Sequence, residues 1–218
     1  MAALARKGLA VVFDLDGVLV DSWPVCRRAF EQACVEAGVP HPVPVDGFRG
    51  NLGRPIAQVL DLLGLPATIA ARFRVLTSEH ADKIAAFPGV MELLSGLARA
   101  GVRVGVLTGK DRGRTDVLLA RTGLGRWVDA VVTPDNAPPK PDPRALWHVL
   151  ALLEVGPGQA MYVGDAAVDL QTANAAGVAA VFARWGALPP WPADGFEFVA
   201  DRPEEVLAAV ARHPLLPT

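Results

Sequence analysis

Apolar and polar positions along this 218-residue chain follow two rhythms. The first is a short, unbroken apolar run. Leu9-Ala10-Val11-Val12-Phe13 stops abruptly at Asp14, and comparable runs recur at 102–107, 130–132, 160–163 and 179–182, with a last one near 196–199. Runs that are apolar on both faces and partly β-branched are expected of buried strands. The second rhythm is helical. Beyond Pro88 it predicts helices over 90–100, 112–122, 143–153, 170–176 and 203–211, three of them stopped by Gly101, Gly123 and Gly177. Strands and helices in alternation imply an α/β fold, a Rossmann-like doubly wound parallel sheet with helices on both faces.

Between Ser22 and Pro88 the strand rhythm is missing. Helical periodicity covers 23–37, where Val25, Ala29, Phe30, Ala33 and Cys34 share a face and Gly38 ends it. Two further helices are predicted over 54–63 and 67–85, and the polar, Pro-rich stretch 41–53 reads as a connector. Three helices with no strand between them indicate a helical module, 22–87, inserted into a core formed by 1–21 and 88–218. The segment 184–198, with Trp185, Trp191 and three prolines, reads as a loop.

Composition narrows the class. Apolar residues make up 51% and charged residues 20%, enough for a large core and against global disorder. A net charge of −2 gives no electrostatic case for nucleic acid or an anionic membrane surface. No apolar run approaches the ~20 residues of a membrane span, and MAALARKG is too short for a signal peptide. Cys26 and Cys34 lie eight apart on one predicted helix, out of reach of each other. They are expected to be reduced packing residues of a cytoplasmic protein. His41, His80, His148 and His213 lack the spacing of a zinc site. A monomer or weak homodimer is the default expectation.

The polar residues that interrupt the strands carry the chemistry. Asp14 and Asp16 follow the first run, Thr108-Gly109-Lys110 the second, Lys140 the third after a short loop, and Gly164-Asp165, with Asp169 four residues on, the fourth. In a parallel sheet these strand ends share one edge and converge on one crevice. Crowded carboxylates at a core's rim are costly unless a cation or a shared proton relieves them. Singly, Thr108 reads as a turn residue, Lys140 as a solvated lysine, Asp165 as a helix cap and Asp169 as a helix-start charge. Joint placement argues against these readings for Asp14, Asp16, Lys140 and Asp165, and leaves the last open for Asp169. Lys110 is open between touching substrate and an ordinary surface position.

Phe13-Asp14-Leu15-Asp16-Gly17-Val18-Leu19, Thr108, Lys140 and Gly164-Asp165 with Asp169 resemble, in order, the four motifs of the haloacid dehalogenase superfamily of phosphotransferases. The resemblance spans nearly the whole chain. The 22–87 module looks like the α-helical cap of the phosphoglycolate phosphatase and β-phosphoglucomutase branch, and Arg49-Gly50 with Gly53-Arg54-Pro55 resembles its cap loop. The resemblance implies a Mg²⁺-dependent hydrolase acting on a small phosphorylated metabolite through an aspartyl-phosphate. On it, Asp14 is the nucleophile and Asp16 the acid, protonated at the start and later the base. Asp14, Asp165 and the main-chain carbonyl of Asp16 hold the metal, with Asp169 ligating directly or through water. Thr108, Gly109 and Lys140 hold phosphoryl oxygens, and Arg49 and Arg54 are candidates for reading the leaving group. The chemistry agrees, since a phosphate dianion approaches a carboxylate only with a hard cation beside it, and covalent transfer splits one hard step in two.

Other functions fit less well. A dehalogenase has no need of Asp16, a phosphonoacetaldehyde hydrolase needs an early cap lysine that is lacking between Ser22 and Lys83, and a dinucleotide enzyme wants G-x-G-x-x-G. A regulatory binding module predicts loss of Asp14, Asp16 or Asp165, all present. A β-phosphoglucomutase-like mutase stays as the alternative.

Overall fold

All four residues of the first strand, β1 (Ala10–Phe13), are buried, because helices cover both faces of the sheet around it. The structure, a computed structural model, describes residues 8–187 and 195–212. After β1 come β2 (Val20–Asp21), α1 (Trp23–Glu36), α2 (Val45–Arg49), α3 (Ile56–Leu62), α4 (Ile69–Glu79) and β3 (Ala85–Ala86). The chain then alternates through α5 (Val90–Arg99), β4 (Arg103–Leu107), α6 (Arg112–Arg121), β5 (Ala130–Val132), α7 (Pro143–Leu152), β6 (Ala160–Gly164), α8 (Ala167–Ala176), β7 (Ala179–Ala183), β8 (Phe198–Ala200) and α9 (Glu205–Ala211).

Six strands form one parallel sheet in the order β5-β4-β1-β6-β7-β8. Phe13 pairs with Val106 on one side and Val163 on the other, so β1, β4 and β6 end level. Side chains alternate across this sheet. Val11, Phe13, Val104, Val106 and Val163 join one core with Leu94 and Leu97 of α5 and Val206 of α9. Ala10, Val12, Tyr162 and Ala180 join the opposite core with Leu146 and Val149 of α7 and Ala173 of α8. Both faces being covered, the strands read as continuous apolar runs.

The helices α1 to α4 pack around a third core of their own. Phe48 is its hub, stacked on Phe30 at 4.2 Å between ring centroids and meeting Phe73 edge-on at 5.7 Å. Burying one such ring contributes about 1.5–3 kcal/mol. The chain leaves and re-enters the sheet region side by side, since β2 and β3 pair antiparallel, Val20 with Ala86 and Asp21 with Ala85.

The structure differs from the sequence expectations in four places. The connector 41–53 contains α2, a five-residue helix that no periodicity announces and that Phe48 pins through its ring contacts. The helix expected over 67–85 ends at Glu79, because the chain must straighten for Ala85–Ala86 to pair with β2. The helix expected from Leu170 begins at Ala167, its first turn held by the Asp169 carboxylate accepting the Ala166 N–H at 3.1 Å. The last strand, expected near 196–199, runs Phe198–Ala200. His213, Trp191 and the prolines at 189, 190 and 192 fall outside the described residues.

Candidate active site

The site lies at the carboxyl edge of β1, β4 and β6, where their polar successors meet. Asp14 continues the ladder for one more bond, its N–H donating to the Val163 carbonyl at 2.9 Å, so its side chain leaves the sheet at a fixed point. Its Oδ1 accepts the Leu15 N–H at 2.7 Å. Lys140 comes in from the loop after β5. Its ammonium lies 3.1 Å from Asp14 Oδ2 and 2.7 Å from Asp169 Oδ1, and all three side chains are only 1% exposed. The Tyr162 hydroxyl donates a second bond to Asp169 Oδ1, at 2.9 Å.

Asp165 comes next to them from the end of β6. Oxygens of Asp14, Asp165 and Asp169 lie within 4.8 Å of one another. Gly17 makes room for this, since its φ is +81° and a Cβ there would land on the Asp165 carboxylate. Burial pushes Asp14 up from 3.8 to about 7; Lys140 opposes the shift, while Asp169 and Asp16 add to it. Burial, then Asp169 and Asp14, also holds Asp165 well above its ordinary value. Lys140 is pushed up instead, the attraction of Asp14 and Asp169 outweighing its burial. Three crowded carboxylates, two of them buried, against one ammonium leave excess negative charge, and an all-oxygen donor set of this kind suits a hard divalent cation. The residues fit such a metal.

Asp16 faces the other way. Burial alone would raise its pKa, but Lys110, 3.1 Å from Oδ2, and the Ser22 hydroxyl hold the carboxyl below its ordinary value. The donor role expected of Asp16 starts from its protonated form, which the pairing with Lys110 disfavours. Thr108 is buried at the end of β4, its N–H bonded to Val132 and its hydroxyl accepting the Lys110 N–H at 3.2 Å.

A sequence profile of the haloacid dehalogenase-like hydrolases matches residues 11–183. This chain belongs to that family. A phosphoglycolate phosphatase of Cupriavidus necator is 33% identical over 201 residues, covering 87% of either chain. One from Rhodospirillum rubrum is 35% identical over 193 residues, 81% of this chain and 80% of its own. Among solved structures, a hydrolase from Pseudomonas syringae superposes with a TM-score of 0.82 at 20% identity, over 93% of this chain and 98% of its own. CbbY from Rhodobacter sphaeroides, in complex with phosphate, does so at 0.79 and 21%, over 94% and 100%. At these identities the structural likeness shows the fold.

In this haloacid dehalogenase-like hydrolase the residues expected from the sequence gather in two adjoining groups. Asp14, Lys140, Asp165 and Asp169 form the first. Asp16 forms the second with Lys110 and Arg54, which line a small cavity between the sheet edge and the helical module. Arg54, not Arg49, is in that lining; Arg49 closes α2. Trp23 stacks toward Phe48 at 6.2 Å, as a packing residue of the module does.

The 53–54 backbone lies directly on the site. A Cβ on Gly53, whose φ is +88°, would come 3.4 Å from Lys140 Nζ and 3.7 Å from Asp14 Oδ2. A Cβ on Gly109 would come 2.5 Å from the Gly53 carbonyl oxygen and 2.8 Å from the Arg54 carbonyl carbon. The sequence reading missed Tyr162 and Arg114. Tyr162, the chain's one tyrosine, sits in an apolar strand where its hydroxyl needs a partner, and that was its available signal. Arg114 sits in the first turn of α6 and shows nothing in sequence.

Proposed function

We propose that this protein is a Mg²⁺-dependent phosphomonoester hydrolase working through an aspartyl-phosphate, with a small phosphorylated metabolite as substrate. The observation that carries the reading is the pairing of two unlike carboxylates two residues apart. Asp14 sits beside Lys140 in a buried, acidic cluster, while Asp16 faces the cavity where a leaving group lies.

Asp14 attacks phosphorus, forming the O–P bond as the ester O–P bond breaks. The leaving oxygen takes a proton from Asp16, which gains that proton once a substrate dianion approaches it. Asp16 then takes a proton from the water that attacks the aspartyl-phosphate, releasing phosphate and restoring Asp14. Lys140, Thr108 and the Gly109 main chain hold phosphoryl oxygens as charge shifts. Asp14, Asp165, Asp169 and the Asp16 carbonyl would hold Mg²⁺, which supplies the positive charge that lets a dianion meet a carboxylate.

Residues 22–87 act as a cap over the core of 1–21 and 88–218, closing through Gly53–Arg54 and excluding water. The names of the relatives support phosphoglycolate as the first substrate to try. The protein is taken to act in the cytoplasm as a monomer or weak homodimer. Its two cysteines are buried and unbridged, and among the described residues no helix is long and apolar enough to cross a membrane.

Phosphate release from a panel of small esters is expected only with Mg²⁺. Turnover undiminished by excess chelator overturns the reading. Closure makes a second prediction. Gly109→Ala sets a methyl against cap backbone and is expected to lower kcat/KM for small esters on the order of 10²-fold, the scale of a ~1 Å misplacement. Its melting temperature is expected to stay near that of the parent, because the nearest atoms to that methyl, the backbone of Gly53 and Arg54, belong to the cap. Unchanged kinetics would mean the cap does not seat there.

A further inference from the structure

We propose that Trp185 and Gly186 are positioning residues for Asp16. They fasten the turn that follows it to the sheet edge, so that its carboxyl stays aimed at the leaving oxygen. The inference rests on the acid's role proposed above and adds what keeps the acid in place.

Asp16 lies between a fixed strand, β1, and β2, the outgoing strand of the stem that leads into the helical module. The turn after it is bonded to that stem. The Gly17 N–H donates to the Val20 carbonyl at 3.0 Å, and the Val20 N–H donates to the Leu15 carbonyl at 3.0 Å. The returning strand joins in, the Phe87 N–H donating to the Leu19 carbonyl at 3.1 Å. Bonds of this kind carry movement of the cap to Asp16, whereas a proton donor must hold its geometry to within about 0.5 Å.

The opposing hold comes from beyond β7. That strand stands two places from β1 in the sheet, and its carboxyl end shares the same rim. Its exit is tied down, the Arg184 N–H donating to the Ala200 carbonyl at 2.9 Å, and the next two residues meet the turn. Trp185 Nε1 donates to the Val18 carbonyl at 3.0 Å. Val18 is fully buried, where a carbonyl needs a donor. Gly186 lies flat against its neighbour. A Cβ there would fall on the Gly17 carbonyl oxygen, 2.7 Å from the carbonyl carbon and 2.9 Å from the Phe87 ring. Gly17 is thus caught between Gly186 and the Asp165 carboxylate, an approach of backbones that only glycine at both positions allows. The indole also packs on the core that includes Phe13 and Leu15, so the anchor belongs to the sheet side.

The test reads leaving-group chemistry, on the purified full chain with Mg²⁺. An alkoxide needs a proton to leave and p-nitrophenolate does not, and kcat/KM ends at transfer to Asp14, before the water step. Trp185→Phe keeps an aromatic ring and removes the donor; Gly186→Ala pushes the turn away. Each is expected to lower kcat/KM on the order of tenfold for the alkyl esters phosphoglycolate and ethyl phosphate, and less than about threefold for p-nitrophenyl phosphate. Asp16→Asn is expected to show the same selectivity more strongly. In the metal-free protein, the Gly17 and Val20 amides are expected to exchange with deuterium on the order of tenfold faster in both variants. Trp185→Phe reads the anchor even if Gly186→Ala fails to fold. Losses that are equal on the two ester types or absent, or unchanged exchange, overturn the inference, and with Asp16→Asn still selective the phosphatase reading stands. An Asp16→Asn that loses both ester types alike overturns the acid's role and the inference with it.

Discussion

Asp14→Asn is expected to remove phosphate release, by roughly 10⁴-fold or more, the scale on which loss of a nucleophile acts, while leaving the protein at least as stable. The two halves of this result have one cause. Burial holds Asp14 up at about 7, so its neutral form is favoured in the folded protein. A carboxyl whose pKa is raised on folding contributes stability below its unfolded value near 3.8, and loses it as pH rises through about 7. At pH 8 the parent carries that penalty and the isosteric amide does not. Phosphate release with a sensitive assay and thermal melting at pH 8 check both halves. Activity within tenfold of the parent would remove Asp14 from the nucleophile's role, and a clear loss of stability would mean its charge is compensated in the free protein.

Lys140→Met is expected to fail in the opposite way, losing stability as well as activity. The ammonium stands between Asp14 and Asp169, and removing one partner of a buried ion pair costs about 3–5 kcal/mol. The cost has a definite pH dependence. Without Lys140 the folded carboxyls rise further, so the variant takes up protons on folding and regains stability as pH falls from 8 towards 5. Mg²⁺, bound only by the folded carboxylates, is expected to rescue the melting temperature more at pH 8 than at pH 5. Denaturant titrations at the two pH values, with and without the metal, provide the measurement. A deficit that is the same at both would show that the lysine matters by its packing rather than its charge.

Much of this architecture is legible in the amino-acid order because the sheet is covered on both faces. Val11-Val12-Phe13 and its counterparts have no polar alternation to confuse them with surface strands, and each stops at a polar residue that the level strand ends bring together. What stays hidden depends on contacts between distant segments. The helix Val45–Arg49 lies among prolines and polar residues, and only the Phe30 and Phe73 rings against Phe48 reveal why it forms. Ala85–Ala86 has no strand-like sequence; it is a strand because Val20–Asp21 lies next to it. Asp169 looks like a helix-start charge and is one, bonding the Ala166 N–H, yet its other oxygen holds Lys140 and Tyr162. Asp16 looks like a ready acid until Lys110 is seen beside it, and the 3.1 Å between them is a fact of folding rather than of spacing along the chain.

The paired exit and return at Val20–Asp21 and Ala85–Ala86 has an evolutionary consequence. Two adjacent antiparallel strands are the stem of a hairpin, which a turn of two residues could close. Everything from Ser22 to Ile84 is thus an elaborated hairpin loop, with its own hydrophobic core and both ends fastened at one point. Such a loop can be lengthened, shortened or exchanged for another without disturbing the register of the six parallel strands. On the function proposed above, changes in this loop retune substrate choice while the carboxylate cluster at the sheet edge stays fixed.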